Sequence, residues 1–596
     1  MDIKSLARDW AALPQISNVH ASGDGRWAFF CAMGDEVEEV FAVPTDGSTG
    51  PVQLTWGTDH QTIRDVSDDG MLLVLAQSHH ASEHDHLMML DRRLGNKLRL
   101  LTPKQQDHYV YGGRLTKDDG IIFAADYDYE TGSVVDGARV WWQSLTTGER
   151  RCLAQTRHMF DRAPALSPSG DRVLMNVNER SVGGTQIWVM NLDGSDLREV
   201  LSFGLRNNTR GVWLDDDRIA FVTDRGGRDM VGVLNLDTHA VDWLGGEPEI
   251  LPHEVLAGGG GFALVAHDAS RTHAVLWDGE FHRMENRSGR RSLLPHAALP
   301  DGGWICEAYD AGATHDLVRV GPDGSCLRLT KAVASARTFQ SPRDFHWSAP
   351  DGRACQGWLY EPEGPTKGFI AYIHGGPTWH SEDWVNPKIQ FWVQAGYTVL
   401  DPNYRGSTGF GYAWREAVKE DGWGGREQAD IRAGIEACVT LGLAVHGRIA
   451  VAGNSYGGFS SWFAITRHAD LVNAAIPMCG MYRLDIDYHA TEMPHGRDYS
   501  IEMMGGTPEE LPEKYANASP GNFIGNIRGH VMVVHGLADS NVGPENTHVA
   551  LRELQAAGIP HEVRLYDDEG HGVFRRANVA DYLERTADFL ERAFQR

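Results

Sequence analysis

The segment Gly453-Asn-Ser-Tyr-Gly-Gly458 sets a serine between glycines, after the apolar run Arg448-Ile-Ala-Val-Ala452 and before a helical pattern from about Tyr456 to Arg467. A serine hydroxyl is a weak nucleophile near neutral pH. It needs a base, and the base needs an orienting acid. On a sharp strand-to-helix turn the serine is strained and exposed, and glycines at 453 and 457 keep neighbouring side chains out of the turn. In that setting the partners follow in the chain order Ser, Asp, His. Asp539 lies 84 residues after Ser455, in His535-Gly-Leu-Ala-Asp539, just beyond the run His530-Val-Met-Val-Val534. His571 lies 32 residues further, in Asp568-Glu-Gly-His-Gly572, beyond the run His561-Glu-Val-Arg-Leu-Tyr566. Singly, Asp539 reads as a turn residue or helix cap and His571 as a loop histidine. Together, each ending a different strand in the required order, they read as the acid and base for Ser455.

Attack on a carbonyl also requires backbone N–H groups aimed at the developing oxyanion, each contributing about 3 to 4 kcal/mol. Tyr456, the residue after the nucleophile, supplies one. Gly376 is expected to supply the other, in His374-Gly-Gly-Pro377 after the run Ala371-Tyr-Ile373. His374 precedes the serine in the chain and is expected to brace this loop. Such chemistry calls for no metal and no organic cofactor.

Short apolar runs and helical patterns alternate throughout this half of the chain, from Gly368–Ile373 and Tyr397–Leu400 to helices near Arg426–Leu441, Glu545–Ala557 and Val579–Phe594. Alternation of strand and helix implies parallel pairing in a doubly wound sheet. Chemistry then collects at the carboxyl ends of the strands. The hairpin period of the preceding residues is read as ending at Phe345.

The first 330 residues repeat a different unit. Turns recur at Asp24-Gly25, Asp69-Gly70, Asp119-Gly120, Ser169-Gly170, Asp216-Asp217, the Gly258–Gly261 run and Asp301-Gly302, about 42 to 50 residues apart, and several units close with Leu-Thr, at Leu54-Thr55, Leu101-Thr102 and Leu329-Thr330. Asp-Gly between apolar runs marks a tight hairpin. Two hairpins per unit make a four-stranded sheet, and seven such sheets are expected to form a β-propeller, the sixth having the weakest turn signal. Short β-sandwiches in series are the alternative, disfavoured by the regular period. The fold class is therefore a seven-bladed β-propeller followed by an α/β-hydrolase domain, divided as residues 1–335, with an N-terminal segment, and 336–596. The cluster His79-His80-Ala-Ser-Glu83-His84-Asp85-His86 has metal-binding residue types without regular ligand spacing, and is read as a solvated loop of blade two.

The whole chain has 596 residues, with 55 basic against 81 acidic side chains, a formal charge of −26 and 42% hydrophobic residues. This is a globular composition. Its negative field disfavours nucleic acid and anionic membrane surfaces as partners. Seven scattered cysteines without a Cys-x-x-Cys pair indicate neither a disulfide framework nor a zinc knuckle. No apolar run reaches 18 residues, and charges interrupt the N-terminal segment where a secretory signal needs an apolar core, so a cytoplasmic location is expected. Self-association into a homo-oligomer is left open.

The motifs His374-Gly-Gly-Pro377, Asn403-Tyr-Arg-Gly-Ser-Thr-Gly-Phe-Gly411, Asp421-Gly-Trp-Gly-Gly425, Gly453-Asn-Ser-Tyr-Gly-Gly458, His535-Gly-Leu-Ala-Asp539 and Asp568-Glu-Gly-His571 resemble those of the prolyl oligopeptidase family of serine peptidases, in particular its acylaminoacyl-peptidase-like branch. The resemblance spans roughly residues 345 to 596. It implies a catalytic domain capped by the propeller, an active site in the cavity between them, and short peptides or small amides as substrates. It also implies that the segment from Met1 to about Leu13 forms a short helix beside the hydrolase. The expected reaction is release of N-terminal residues, acylated or free, through an acyl-enzyme. Dipeptidyl-peptidase or oligopeptidase cleavage, carboxylesterase or small-amide hydrolysis, and a propeller interaction platform beside an inactive hydrolase are the competing readings. An intact triad argues against the last.

Specificity residues are less legible. Met481 and Tyr482, after the strand that follows the nucleophile helix, are read as pocket wall. Glu492 and Arg497 are read as candidates for a substrate terminus, although ordinary loop polarity explains both as well. Trp379 and Trp384 are expected either to line the cavity or to fill core.

Overall fold

The recurring Leu-Thr pairs share one bonding pattern. In the computed structural model, which describes residues 2–104, 107–157, 163–245, 251–258, 260–331 and 338–595, the N–H of Leu54 donates to the Val40 carbonyl at 2.7 Å. The Thr55 hydroxyl accepts the N–H of Val40 at 2.9 Å. Leu101 and Thr102 treat Leu87 in the same way, and Leu329 and Thr330 treat Leu317. Each leucine is buried. The pair thus anchors the end of an outer strand to the third strand of its blade, where a free edge would otherwise leave backbone groups unpaired.

Seven four-stranded antiparallel sheets follow one another, each with its strands in simple sequential order. The sixth is complete, with strands Leu251–Gly258, Gly261–Asp268, Arg271–Trp277 and Phe281–Arg283. Apolar side chains fill every junction between successive blades. Ile16, Val19 and Phe30 of the first blade meet Leu299, Ile305 and Leu317 of the seventh, which closes the ring.

The remaining strands form one eight-stranded sheet, numbered here β1 Arg343–Ser348, β2 Ala354–Tyr360, β3 Phe369–Ile373, β4 Thr398–Asn403, β5 Ile449–Asn454, β6 Ala474–Met478, β7 His530–Gly536 and β8 His561–Tyr566. Their order is β1-β2-β4-β3-β5-β6-β7-β8. From β4 through β8 neighbouring strands run parallel. The hairpin habit does not stop at Phe345: β1 and β2 pair antiparallel across a turn in which the Gly352 N–H donates to Ala349, and β2 joins the sheet antiparallel to β4. Asp351-Gly352 thus forms one more hairpin turn, attached to the hydrolase.

Both faces of the sheet are covered. One carries the helices Arg426–Thr440 and Tyr456–Arg467, with Trp462, Phe459 and Ile435 in its core. The other carries Pro387–Gln394 and Arg576–Phe594, joined by the N-terminal helix Ile3–Ala11. Asp2 caps that helix with its carboxylate, and its buried residues Leu6, Ala7 and Trp10 pack with Trp392, Leu583 and Leu590. The N-terminal segment therefore packs on the hydrolase, as expected. The division drawn between residues 335 and 336, Met1, and Gly259 within the glycine run all lie outside the described residues.

Candidate active site

Ser455 adopts φ 58° and ψ −120° at the head of the helix Tyr456–Arg467. For a non-glycine residue this is a strained conformation, of the kind that surrounding structure must enforce. The enforcement is visible at Gly457, where a Cβ would overlap the Ile373 carbonyl, and at Gly453, where one would lie 2.7 Å from the Gly457 Cα. Neither position tolerates a side chain, so the helix start sits tight against β3 and the serine is pushed outward. The Tyr456 N–H belongs to the first helical turn, whose amides have no acceptor within the helix.

The Asp539 Oδ2 lies 2.8 Å from the His571 Nδ1. The other carboxylate oxygen accepts N–H donors from Asn541 at 3.0 Å and Val542 at 2.9 Å. His535, buried behind them, places its Nε2 3.3 Å from Asp539 and is fixed by the Thr547 hydroxyl on Nδ1. Burial by itself opposes charge on Asp539, yet the two histidines and their hydrogen bonds hold its carboxyl well below the usual range. Burial likewise lowers the pKa of His571, but Asp539 outweighs it, so the imidazole is raised above its ordinary value. Asn454, adjacent to Ser455, donates its side-chain amide to the His571 carbonyl at 3.2 Å and so ties the serine turn to the histidine loop. The structure thus brings Ser455, Asp539 and His571 to the C-terminal ends of β5, β7 and β8.

The His374-Gly-Gly-Pro377 loop lies against the same turn: a Cβ on Gly375 would be 3.5 Å from the Ser455 Cβ. Gly376, with φ 113°, occupies backbone space closed to other residues. His374 is a brace. Its ring nitrogens meet the Gly375 carbonyl at 2.8 Å and the Ser407 Oγ at 2.9 Å, and Tyr404 donates to its carbonyl at 2.9 Å. Burial pulls the His374 imidazole down to about 3, which keeps it neutral.

The blade-two histidine cluster departs from its reading as a solvated loop. It docks on the loops that carry Asp539 and His571: the Ala81 carbonyl occupies the space a Cβ on Gly570 would need, and the Ser540 hydroxyl donates to the Ser82 carbonyl. Its side chains do not converge. His79 pairs with Asp59 at 3.0 Å, His84 stands edge-on to Tyr109, and His86 meets the Gln77 Oε1 at 3.0 Å. Glu83, in this loop, is electrostatically coupled to His571, and desolvation pushes its own carboxyl up. Asp487 is similarly coupled; burial and the Asp539 charge push it up to about 7. The buried Cys479 thiol lies within 4.8 Å of ligand atoms of Asp539 and His571. Sequence reasoning gave Glu83, Asp487, His535 and Cys479 no part in the site, because no local spacing marks residues that meet only across loops or domains.

The pocket-wall assignment fails for Met481 and Tyr482. Both are core residues of the face that carries the helices Arg426–Thr440 and Tyr456–Arg467, and Tyr482 donates its hydroxyl to Glu553 at 2.6 Å while packing on Trp462. Glu492 is exposed and its charge acts on His84 and Tyr109 of the propeller. Arg497 is exposed and donates to the His489 carbonyl at 3.3 Å. Trp379, 54% exposed, and Trp384 line an interdomain cavity of about 570 Å³, together with Thr378, Tyr309, His315 and Tyr499. Arg415 closes part of its wall by pairing with Asp224 and Asp229 across the domain boundary, at 2.9 and 3.2 Å.

A serine turn, an acid-base pair on successive strand ends and a propeller laid over them define a capped serine hydrolase of the α/β-hydrolase class. Residues 384–596 match the sequence model of the prolyl oligopeptidase family. Dipeptidyl aminopeptidase BIII of Pseudoxanthomonas mexicana is 23% identical, over 97% of this chain and 86% of that protein. The acylamino-acid-releasing enzyme of Arabidopsis thaliana is 25% identical, over 35% of this chain and only 28% of that protein. The solved structure of a Mycobacterium tuberculosis puromycin-hydrolyzing peptidase shares the fold over 100% of this chain and 96% of its own, with a TM-score of 0.83 and 20% identity. The hydrolase domain belongs to the prolyl oligopeptidase family, and the protein is a serine peptidase of that kind.

Proposed function

We propose that the enzyme releases residues from the free N-terminus of short peptides, with Ser455 as nucleophile, His571 as base, Asp539 as orienting acid and the amides of Gly376 and Tyr456 as oxyanion donors. The Ser455 Oγ bonds to the scissile carbonyl carbon while His571 takes its proton. As the tetrahedral intermediate collapses the C–N bond breaks, and the leaving amine departs with the proton from His571. Water, deprotonated by the same imidazole, then hydrolyses the acyl-enzyme.

The observation that carries the free-terminus reading is the docking of the blade-two loop on the histidine loop, which adds Glu83 from the propeller to Asp487 from the hydrolase near His571. A carboxylate near the reacting centre favours a substrate ammonium over an acylated terminus. Covering the site with a propeller favours short chains over folded proteins. The name of the Pseudoxanthomonas relative supports cleavage near an amino terminus, and that of the Arabidopsis relative keeps acylated substrates as the second reading. We place the activity in a reducing, cytoplasmic compartment, which the seven unpaired cysteines support.

The test is a panel of aminoacyl, acyl-aminoacyl, X-Pro dipeptidyl and short-chain ester chromogenic substrates, run beside Ser455→Ala. Amide cleavage that prefers free amino termini and vanishes in the variant supports the proposal. Preference for acylated termini transfers it to the second reading, and ester turnover without amide cleavage refutes both.

A further inference from the structure

Apart from the triad, three buried side chains converge where the sixth blade meets the hydrolase. His267 lies on the blade strand Gly261–Asp268, while His380 and Glu382 lie in the loop between β3 and the helix Pro387–Gln394. They are 5%, 6% and 4% exposed. One potential ligand atom from each lies within 4.8 Å of the others. The His380 Nε2 and the Glu382 Oε1 are 3.5 Å apart, and the rings of His267 and His380 meet edge to face with centroids 4.6 Å apart.

We propose that His267, His380 and Glu382 bind a divalent transition-metal ion of the Zn²⁺ class, which staples the propeller to the hydrolase. With Zn–N and Zn–O distances of about 2.0 to 2.2 Å, tetrahedral ligands stand about 3.4 Å from one another, so the His380–Glu382 pair is already spaced for one ion. The buried His380 Nε2 has no hydrogen-bond partner, although its Nδ1 meets the Thr408 Oγ1 at 2.7 Å. When Nδ1 donates to Thr408, a lone pair on Nε2 is left facing a carboxylate, an arrangement that a cation between them relieves. Glu382 is oriented from behind by the Thr272 N–H at 3.1 Å, the Thr272 hydroxyl at 2.5 Å and the Tyr309 hydroxyl at 3.2 Å. Such outer partners hold metal ligands in orientation and raise their affinity.

The donor set is two imidazoles and one carboxylate. It suits zinc, cobalt or nickel rather than magnesium or calcium, which prefer all-oxygen shells. His253, whose ring lies 5.0 Å from that of His267, or water completes the fourth position. All four side chains line the interdomain cavity, which gives an ion a route in.

The experiment uses the full chain without an affinity tag, stripped by a chelator and titrated with Zn²⁺ by calorimetry and with Co²⁺ by visible absorption. The expected result is one ion per chain, bound at least about tenfold more weakly after His267→Ala in the propeller and after His380→Ala in the hydrolase. Labelling of Ser455 by a fluorophosphonate reports that each variant is folded. If a variant does not fold, X-ray absorption on the zinc-loaded wild type decides: a shell with two imidazoles upholds the site, and one without imidazole overturns it. Absence of stoichiometric binding in the wild type, or binding unchanged in both folded variants, also overturns it.

Discussion

Tyr109 of the propeller donates its hydroxyl to the Oγ of Ser540 at 2.8 Å, one residue beyond the catalytic acid candidate Asp539. Ser540 passes the bond on to the Ser82 carbonyl, so two blades grip the acid loop at one point. Tyr109→Phe removes a single hydrogen bond worth about 1 kcal/mol and leaves the ring in place. Because that bond restrains the loop rather than the core, kcat/KM is expected to fall about fivefold with little change in Tm. Parallel steady-state kinetics and thermal unfolding check this; equal activity in the variant removes the propeller from control of the acid loop.

Asp539 accepts two backbone amides on one oxygen and His571 on the other. Asp539→Asn keeps the shape but offers His571 a donor where it had an acceptor, which favours the wrong imidazole tautomer. The expected loss in kcat is on the order of 10⁴-fold. Single-turnover acylation with an activated ester isolates the step. A loss below tenfold would mean that His571 is oriented by something other than Asp539.

The pH dependence follows from the carboxylates around His571. Its raised pKa puts the acid limb of kcat/KM above about 6.5, the ordinary histidine value, since only the neutral imidazole acts as base. Glu83→Gln removes a negative charge that favours the imidazolium, so the limb is expected to move to lower pH. For stability the signs oppose. The His571 contribution is full below the unfolded pKa and disappears as pH rises through the higher folded value. The Asp539 contribution is full above its unfolded value of about 3.9 and disappears as pH falls through its depressed one. A pH–rate profile of the variant that coincides with the wild type would detach Glu83 from the catalytic histidine.

How much of this was legible beforehand depended on whether the cause was local. The serine turn, the Asp-Gly hairpins and the Leu-Thr closures are set by a few consecutive residues, and the strand and helix around Ser455 appear within two residues of where the pattern puts them. The strand pair β1-β2 was missed because one more Asp-Gly hairpin looks the same whether it closes a blade or opens a hydrolase. Met481 and Tyr482 were misread because apolar residues after a strand fit a pocket and a core equally well. The surroundings of His571 were invisible for a further reason: Glu83 reaches it from 488 positions away in the chain, through the packing of one domain on the other.

Gly457 tests the most local of these causes. A Cβ there would overlap the carbonyl of Ile373, the residue that leads into His374-Gly-Gly-Pro377. Gly457→Ala must therefore move either the nucleophile helix or the strand carrying the oxyanion loop. Both movements separate Ser455 from Gly376, and neither touches a propeller blade. Loss of an oxyanion donor alone costs about 10² to 10³ in kcat, and the same close approach to Ile373 helps hold the strained serine turn. The expected variant loses at least that much activity and loses fluorophosphonate labelling, while limited proteolysis still yields an intact propeller fragment. Undiminished labelling would show that β3 can yield at Ile373 without disturbing the site.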